Sequence, residues 1–182
     1  MSPESGRAEI FLNPGEYAFG EGQTRIRTIL GSCVAVTFWH PGLKTGAMCH
    51  YQLPTRGPSQ CEPTGGKYAE DVLSIISAHF ADKSIHASTL QVKMFGGSNI
   101  FAPPSLGESL NIGMKNIQVG FAILARSGFN ILNYDLAGGK NRTVMFDIGS
   151  GEVWVRLGQG QTAAPESRTR SHNMTIEKKH PA

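Results

Sequence analysis

The chain has 182 residues, 40% of them hydrophobic and 17% charged, and a formal net charge of +3 at neutral pH. That is enough chain for one sizeable core, and the small charge excess, scattered rather than clustered with aromatics, gives no ground for a nucleic-acid partner. The three cysteines form no secretory framework, no apolar run approaches bilayer-spanning length, and Met1-Ser-Pro-Glu-Ser-Gly-Arg7 lacks a signal-peptide core, so a cytoplasmic, monomeric protein with reduced thiols is expected.

In chain order, short strands are expected over residues 9–12, 17–19 and 24–29, separated by Asn13-Pro-Gly15 and Gly20-Glu-Gly22 breaks. A hairpin follows. Val34, Val36 and Phe38, then Ala47, Cys49 and Tyr51, alternate with their neighbours as strand residues do, and His40-Pro-Gly-Leu-Lys-Thr45 supplies the turn. Residues 54–66 are polar and rich in Pro and Gly, and read as a surface loop. Tyr68, Val72, Ile75, Ile76 and Phe80 recur at helical spacing and predict a helix over 67–82. A strand over 90–95 ends in Gly96-Gly97. A second helix is expected over 111–127, with Asn111 as its cap, Ile117, Phe121 and Leu124 inward, and Gly128 as its stop. Strands over 129–134, 142–148 and 153–157, joined by Gly138-Gly139 and Gly149-Ser-Gly151 turns, close the domain. Many strands with only two helices argue for an α+β fold, a layered β-sandwich covered by helices, rather than a doubly wound sheet. The domain is expected to span residues 1–158, with 159–182 a polar tail outside it.

The chemistry concentrates in the hairpin. Cys33 opens the first strand in this reading and His50 lies within the second, so an imidazole can face a thiol across the pair, draw off its proton and lower its pKa. Gly31 and Ser32 form a turn just before the cysteine, whose N–H groups are candidates to face a developing oxyanion. The plainer alternative is a small buried cysteine and a satisfied strand histidine. A zinc site built from Cys33, Cys49, His50 and Cys61 lacks the usual ligand spacing, and adjacent Cys49 and His50 point to opposite faces of a strand, so no metal is expected. Gly96-Gly97 lacks the lysine and later glycine of a phosphate loop, and more simply lets the backbone pass close to the cleft. Asn111, Asn116, Asp135 and Arg142 read as structural, with Arg142 placed to pair with Asp135 across the Gly-Gly turn.

Leu30-Gly-Ser-Cys-Val-Ala-Val36 and Met48-Cys-His50 are followed, in order, by Gly65-Gly-Lys-Tyr-Ala69, Phe95-Gly-Gly-Ser98, Asn111-Ile-Gly-Met-Lys-Asn116 and Asp135-Leu-Ala-Gly-Gly-Lys-Asn-Arg142. Together, from about residue 15 to about residue 157, they resemble the CheD family, which deamidates glutamines on chemoreceptors. The resemblance implies a fold like the cytotoxic necrotizing factor catalytic domain, another cysteine-histidine glutamine deamidase. It implies Cys33 as nucleophile, His50 as base and no cofactor. It also implies a threonine shortly before the cysteine as the third member. Thr28 stands at five residues' spacing and Arg27 at six, and Thr28 equally reads as a β-branched strand residue. Tyr68 is a candidate for shaping the glutamine pocket, or a core residue of the first helix. Phe101 is a candidate anchor for a partner or a plug at the core's edge. The implied partners are chemoreceptor cytoplasmic domains and a CheC-like phosphatase. Two alternatives stay open: a non-catalytic regulator that binds such a phosphatase, and a transglutaminase-like acyl transferase.

Overall fold

The computed structural model describes residues 8–57, 65–99, 111–158 and, for the backbone alone, 177–180. In chain order the elements are β1 (Ala8–Phe11), β2 (Tyr17–Glu21), β3 (Thr24–Leu30), β4 (Val34–His40), β5 (Thr45–Tyr51), α1 (Ala69–Asp82), a single 3-10 turn (Ala87–Thr89), β6 (Gln91–Gly96), α2 (Ile112–Arg126), β7 (Asn130–Leu136), β8 (Arg142–Asp147), β9 (Val153–Leu157) and β10 (Glu177–His180). The strands form two five-stranded sheets, ordered β1-β3-β8-β9-β10 and β2-β5-β4-β6-β7. The fold is α+β and layered, as the run of strands implied.

Side-chain alternation sets the layers. Along β4, Val34, Val36 and Phe38 join Cys49 and Tyr51 of β5 in a core shared with Val72, Leu73, Ile76 and Phe80 of α1 and Ile117 and Leu124 of α2. The intervening Ala35, Trp39 and Met48 join Ile26 and Leu30 of β3, Val144 and Phe146 of β8, and Val153 and Val155 of β9 in a second core between the sheets. The helices therefore cover one face of the β4-containing sheet, and its other face packs on the second sheet. Because β4 and β5 are buried on both faces, their sequence is nearly continuously apolar rather than cleanly alternating. On β3, Ile26, Thr28 and Leu30 are buried while Arg27 and Ile29 face solvent, as suits a strand with one wet face.

Three features depart from the sequence reading. The three C-terminal strands do not form one meander: β7 runs parallel to β6, whereas β8 and β9 lie in the other sheet. The chain changes sheets around Ala137 and Gly138, both at positive φ. Strand β4 begins at Val34, so Cys33 sits in the bend of residues 31–33 ahead of it. Finally, Glu177–His180, read from sequence as solvated tail, pairs antiparallel with β9. The expectations for Cys61, Phe101 and the rest of the tail fall outside the described residues.

The helix ends follow the sequence signals. Asn111 caps α2 by accepting the Met114 N–H at 3.1 Å, and Gly128 follows its end at φ +78°. The start of the expected surface loop is fastened to α1, where Arg56 Nε lies 3.1 Å from Glu70 and 3.2 Å from Asp71.

Candidate active site

His50 points into the space between the sheets, with only 1% of its surface exposed. Its ring is held from β3: Thr28 Oγ1 lies 2.7 Å from His50 Nδ1 and also 2.7 Å from the carbonyl of Leu12. A hydroxyl has a single proton, and the carbonyl can only accept. The Thr28 proton therefore goes to Leu12, and the Thr28 oxygen accepts from an Nδ1–H. This network assigns the tautomer and leaves Nε2 as a bare acceptor. Among the described residues that buried Nε2 has no hydrogen-bond partner, the state a base needs before it takes a proton. The backbone of His50 is fixed as well, through Gly15 N–H to the His50 carbonyl at 2.7 Å and His50 N–H to the Glu16 carbonyl at 2.9 Å.

Cys33 lies on the same side of the β4–β5 pair. It packs against the inter-sheet core that includes Ala35 and Met48, and Ala35 stands directly opposite His50 in the register. Cys33 is two residues before Ala35, in the bend that leads into β4. It is half-buried, whereas Cys49 is fully buried on the opposite face, against the helices. Cys49 and His50 thus point to opposite sides of β5, which rules out their sharing a metal ion.

The turn carrying Cys33 is clamped from behind. Ser98 N–H donates to the Gly31 carbonyl and Gly97 N–H to the Cys33 carbonyl, each at 2.8 Å, and the Asn116 amide donates to the Ser32 carbonyl at 3.0 Å. The glycine at 96 is required by this approach: it adopts φ +106°, and a Cβ there would lie 2.3 Å from the Cys33 carbonyl oxygen. Ser98 is itself held by Arg142, which donates to its hydroxyl, to Asp135 at 2.9 Å and to the Ala137 carbonyl at 2.7 Å. Arg142 and Asp135 do pair across the Gly-Gly turn, and the pair braces Ser98, which supports the Cys33 turn. Sequence reasoning took Asn116 for a structural helix residue. The signal in the sequence is its helical spacing with Gly113, Gly120 and Ile123, which puts a polar side chain on the buried face of α2.

The electrostatics correct one expectation. Burial lowers the His50 pKa to about 4, against weaker opposing effects of the Leu12 carbonyl and the Glu16 charge. Burial also raises the Cys33 thiol, and the opposing influence of its own N–H is smaller. Burial thus favours the neutral form of both groups, against the lowered thiol pKa expected from the pairing, because each loses hydration. A proton can still pass from thiol to Nε2 as the sulfur attacks, which is general-base catalysis. Cys49 is pushed up to about 12 by burial and is chemically silent.

The remaining candidates separate. Thr28 is fully buried and touches His50, while Arg27 is on the outer face of β3. Ser32 is exposed and Gly31 half-buried in the turn. Tyr68 is only 4% exposed at the start of α1, bridged to Leu53, and belongs to the core side of its two readings.

Comparison with known proteins points to one family. A family model described as CheD chemotactic sensory transduction matches residues 52–157. Among similar proteins, a probable chemoreceptor glutamine deamidase of Chromobacterium violaceum is 37% identical over 88% of this chain and 84% of its own length. One from Pseudomonas fluorescens is 39% identical over 86% of this chain and 88% of its own. Another, from Leptospira interrogans, is 37% identical over 81% of this chain and 91% of its own. The family match begins past Thr28, Cys33 and His50, so their roles rest on geometry and chemistry.

Proposed function

The chain belongs to the CheD family, and on that premise we propose that it is a protein-glutamine deamidase of chemoreceptors, with Cys33 as nucleophile, His50 as base and Thr28 as the residue that orients it. The observation that carries the reading is the Thr28–His50 contact, whose tautomer leaves Nε2 free on the side of the sheet that bears Cys33.

In the proposed reaction, Cys33 sulfur attacks the carboxamide carbon of a receptor glutamine while its proton moves to His50 Nε2. The tetrahedral oxyanion is met by N–H groups of the Gly31-Ser32-Cys33 turn. His50 then hands its proton to the departing nitrogen, ammonia leaves, and a thioester remains on Cys33. A water molecule gives a proton to His50 as it adds to the thioester. The sulfur departs, takes that proton back from His50, and a glutamate is released. A buried neutral pair suits this sequence, since each step moves one proton between neighbours and leaves no permanent charge in the low-dielectric site.

The fold reading that goes with this chemistry is the cytotoxic necrotizing factor-like arrangement of layered sheet under helices, with residues 1–158 as the catalytic unit. Cytoplasmic location, a monomeric state, and docking of a CheC-like phosphatase through the segment around Phe101 complete the proposal. The test is incubation with chemoreceptor cytoplasmic fragments, reading glutamine-to-glutamate conversion by mass spectrometry and ammonia release. Conversion that disappears with Cys33→Ala supports the reading. Crosslinking to lysine without ammonia loss to water would identify an acyl transferase. Binding of a CheC-like phosphatase without conversion would identify a regulator.

A further inference from the structure

Asn116 is a buried polar residue with an atom unpartnered among the described residues. It lies fully buried on α2 among apolar neighbours. Its two amide protons are both used, one on the Ser32 carbonyl at 3.0 Å and one on the Gln52 carbonyl at 2.8 Å. Its own carbonyl accepts the Tyr51 hydroxyl at 2.8 Å. The amide oxygen, by contrast, is buried without a partner among the described residues. An unpaired buried acceptor is destabilising, and an apolar residue of similar shape would avoid it. The position therefore has a use for the two donors that outweighs the orphaned oxygen.

The two carbonyls lie at the mouth of the hairpin. Ser32 immediately precedes Cys33, and Gln52 follows His50 by two residues, so one side chain spans the ends of the strands bearing nucleophile and base. It also sets a direction. A trans peptide points its N–H opposite to its C=O, so drawing the Ser32 carbonyl toward α2 turns the Cys33 N–H away from the helix. That N–H has no main-chain acceptor among the described residues, and it acts on its own sulfur. On the other side of the turn, Ser98 draws in the Gly31 carbonyl and directs the Ser32 N–H in the same manner.

We propose that Asn116 is a positioning residue of the site: by holding the Ser32 and Gln52 carbonyls it fixes the Cys33 N–H as the donor to the oxyanion formed on the substrate carboxamide. It touches neither substrate nor reacting atoms. The inference rests on the deamidase reading, and it separates attack by sulfur from stabilisation of the intermediate. Alkylation of Cys33 by iodoacetamide forms no oxyanion and does not use this donor, whereas acyl transfer does.

The experiment compares Asn116→Ala with Tyr51→Phe, which removes a different buried hydrogen bond at the same helix–sheet joint. Asn116→Ala is expected to lower kcat for receptor deamidation by about 10²-fold, the scale of a lost oxyanion donor, with KM within about twofold. Its Cys33 alkylation rate at pH of about 9, where thiolate is abundant, stays within about twofold of wild type. Tyr51→Phe keeps kcat within about threefold, since a single neutral hydrogen bond contributes mainly to stability. Should Asn116→Ala fail to fold, Asn116→Asp keeps the volume, exchanges donor for acceptor, and is read the same way. A wild type inactive on receptor fragments would defeat the deamidase reading alone. The same variants are then compared on p-nitrophenyl acetate, whose hydrolysis passes through the same kind of intermediate. The proposal is overturned if kcat survives in the Asn116 variants, if alkylation falls in step with it, or if Tyr51→Phe loses as much.

Discussion

A single hydroxyl determines how His50 is used. Because Thr28 gives its proton to Leu12, it can only accept from His50, and Thr28→Val keeps the shape while deleting the acceptor. The ring then loses its side-chain acceptor at Nδ1, and kcat is expected to fall by about 10²-fold, since tautomer anchors in other triads are worth at least that much. Steady-state turnover with the alkylation rate as a control checks this, and full activity in Thr28→Val would return the residue to an ordinary strand role. The His50 pKa of about 4 makes a second, pH-based prediction. The base stays unprotonated well below the usual imidazole range, so the acid limb of kcat/KM should fall near pH 4 to 5 and not near 6.5. Stability follows the same group. The folded pKa lies below the unfolded one, so between about pH 6.5 and 4 the unfolded state binds more protons, and stability falls as pH falls through that window, by about 3 kcal/mol in total. The difference in unfolding free energy between wild type and His50→Gln, measured across this range, isolates the effect. A difference that does not change with pH would mean His50 is not buried neutral.

At the scale of elements, the Cys33 turn is only as rigid as the end of β6 that grips it. Gly96→Ala puts a methyl group against the Cys33 carbonyl at a φ of +106°, so the turn must move or the strand end must unpair. The expected result is loss of deamidation beyond about 10²-fold together with destabilisation of at least about 1 kcal/mol from the backbone conformation alone, read by turnover and by denaturant unfolding. Wild-type activity in this variant would show that the contact is relieved without moving Cys33. Much of this was visible in the sequence: the hairpin through its apolar strands and turn cluster, the helices through their stripes, and Gly96-Gly97 as a place of close approach. The choice between Thr28 and Arg27 was also within reach, because Ile26, Thr28 and Leu30 share a parity and an arginine in that set would have been buried. What was not visible is which strands are neighbours. Alternation tells which residues face inward but not which sheet they enter, and the passage from β7 to β8 looks from sequence like any Gly-Gly turn. The direction in which burial pushes the Cys33 and His50 pKa values was equally hidden, since it comes from the packed fold and not from the spacing of two residues.

At the scale of the whole molecule, the sheets divide the labour. The β3-bearing sheet supplies Thr28 to the site near one edge and carries β10 on its other edge, with β8 and β9 between. The sequence reads 159–182 as a polar tail outside the domain, and the strand at Glu177–His180 changes what its removal should do. Those four residues pair with Val153, Trp154, Val155 and Arg156, so deletion leaves the outer side of β9 without a partner. The inward side chains of Val153 and Val155 still pack against the other sheet, and β3 remains paired to β8 along its length. A chain ending at Gly158 is therefore expected to deamidate within about twofold of the full chain, since the site is separated from the lost strand by two intact ones. Its stability should drop by about 1 to 3 kcal/mol, the net worth of a short ladder of backbone hydrogen bonds, and its bare edge should make it more prone to self-association. Ammonia release at a temperature where both chains are folded, together with unfolding curves and light scattering, checks the three parts separately. Unchanged stability and scattering would mean that the last strand contributes nothing to the sheet. Activity lost while the truncated chain is folded would mean that the segment acts on the site itself, either by reaching the substrate or by transmitting strain through β9 and β8 to Thr28.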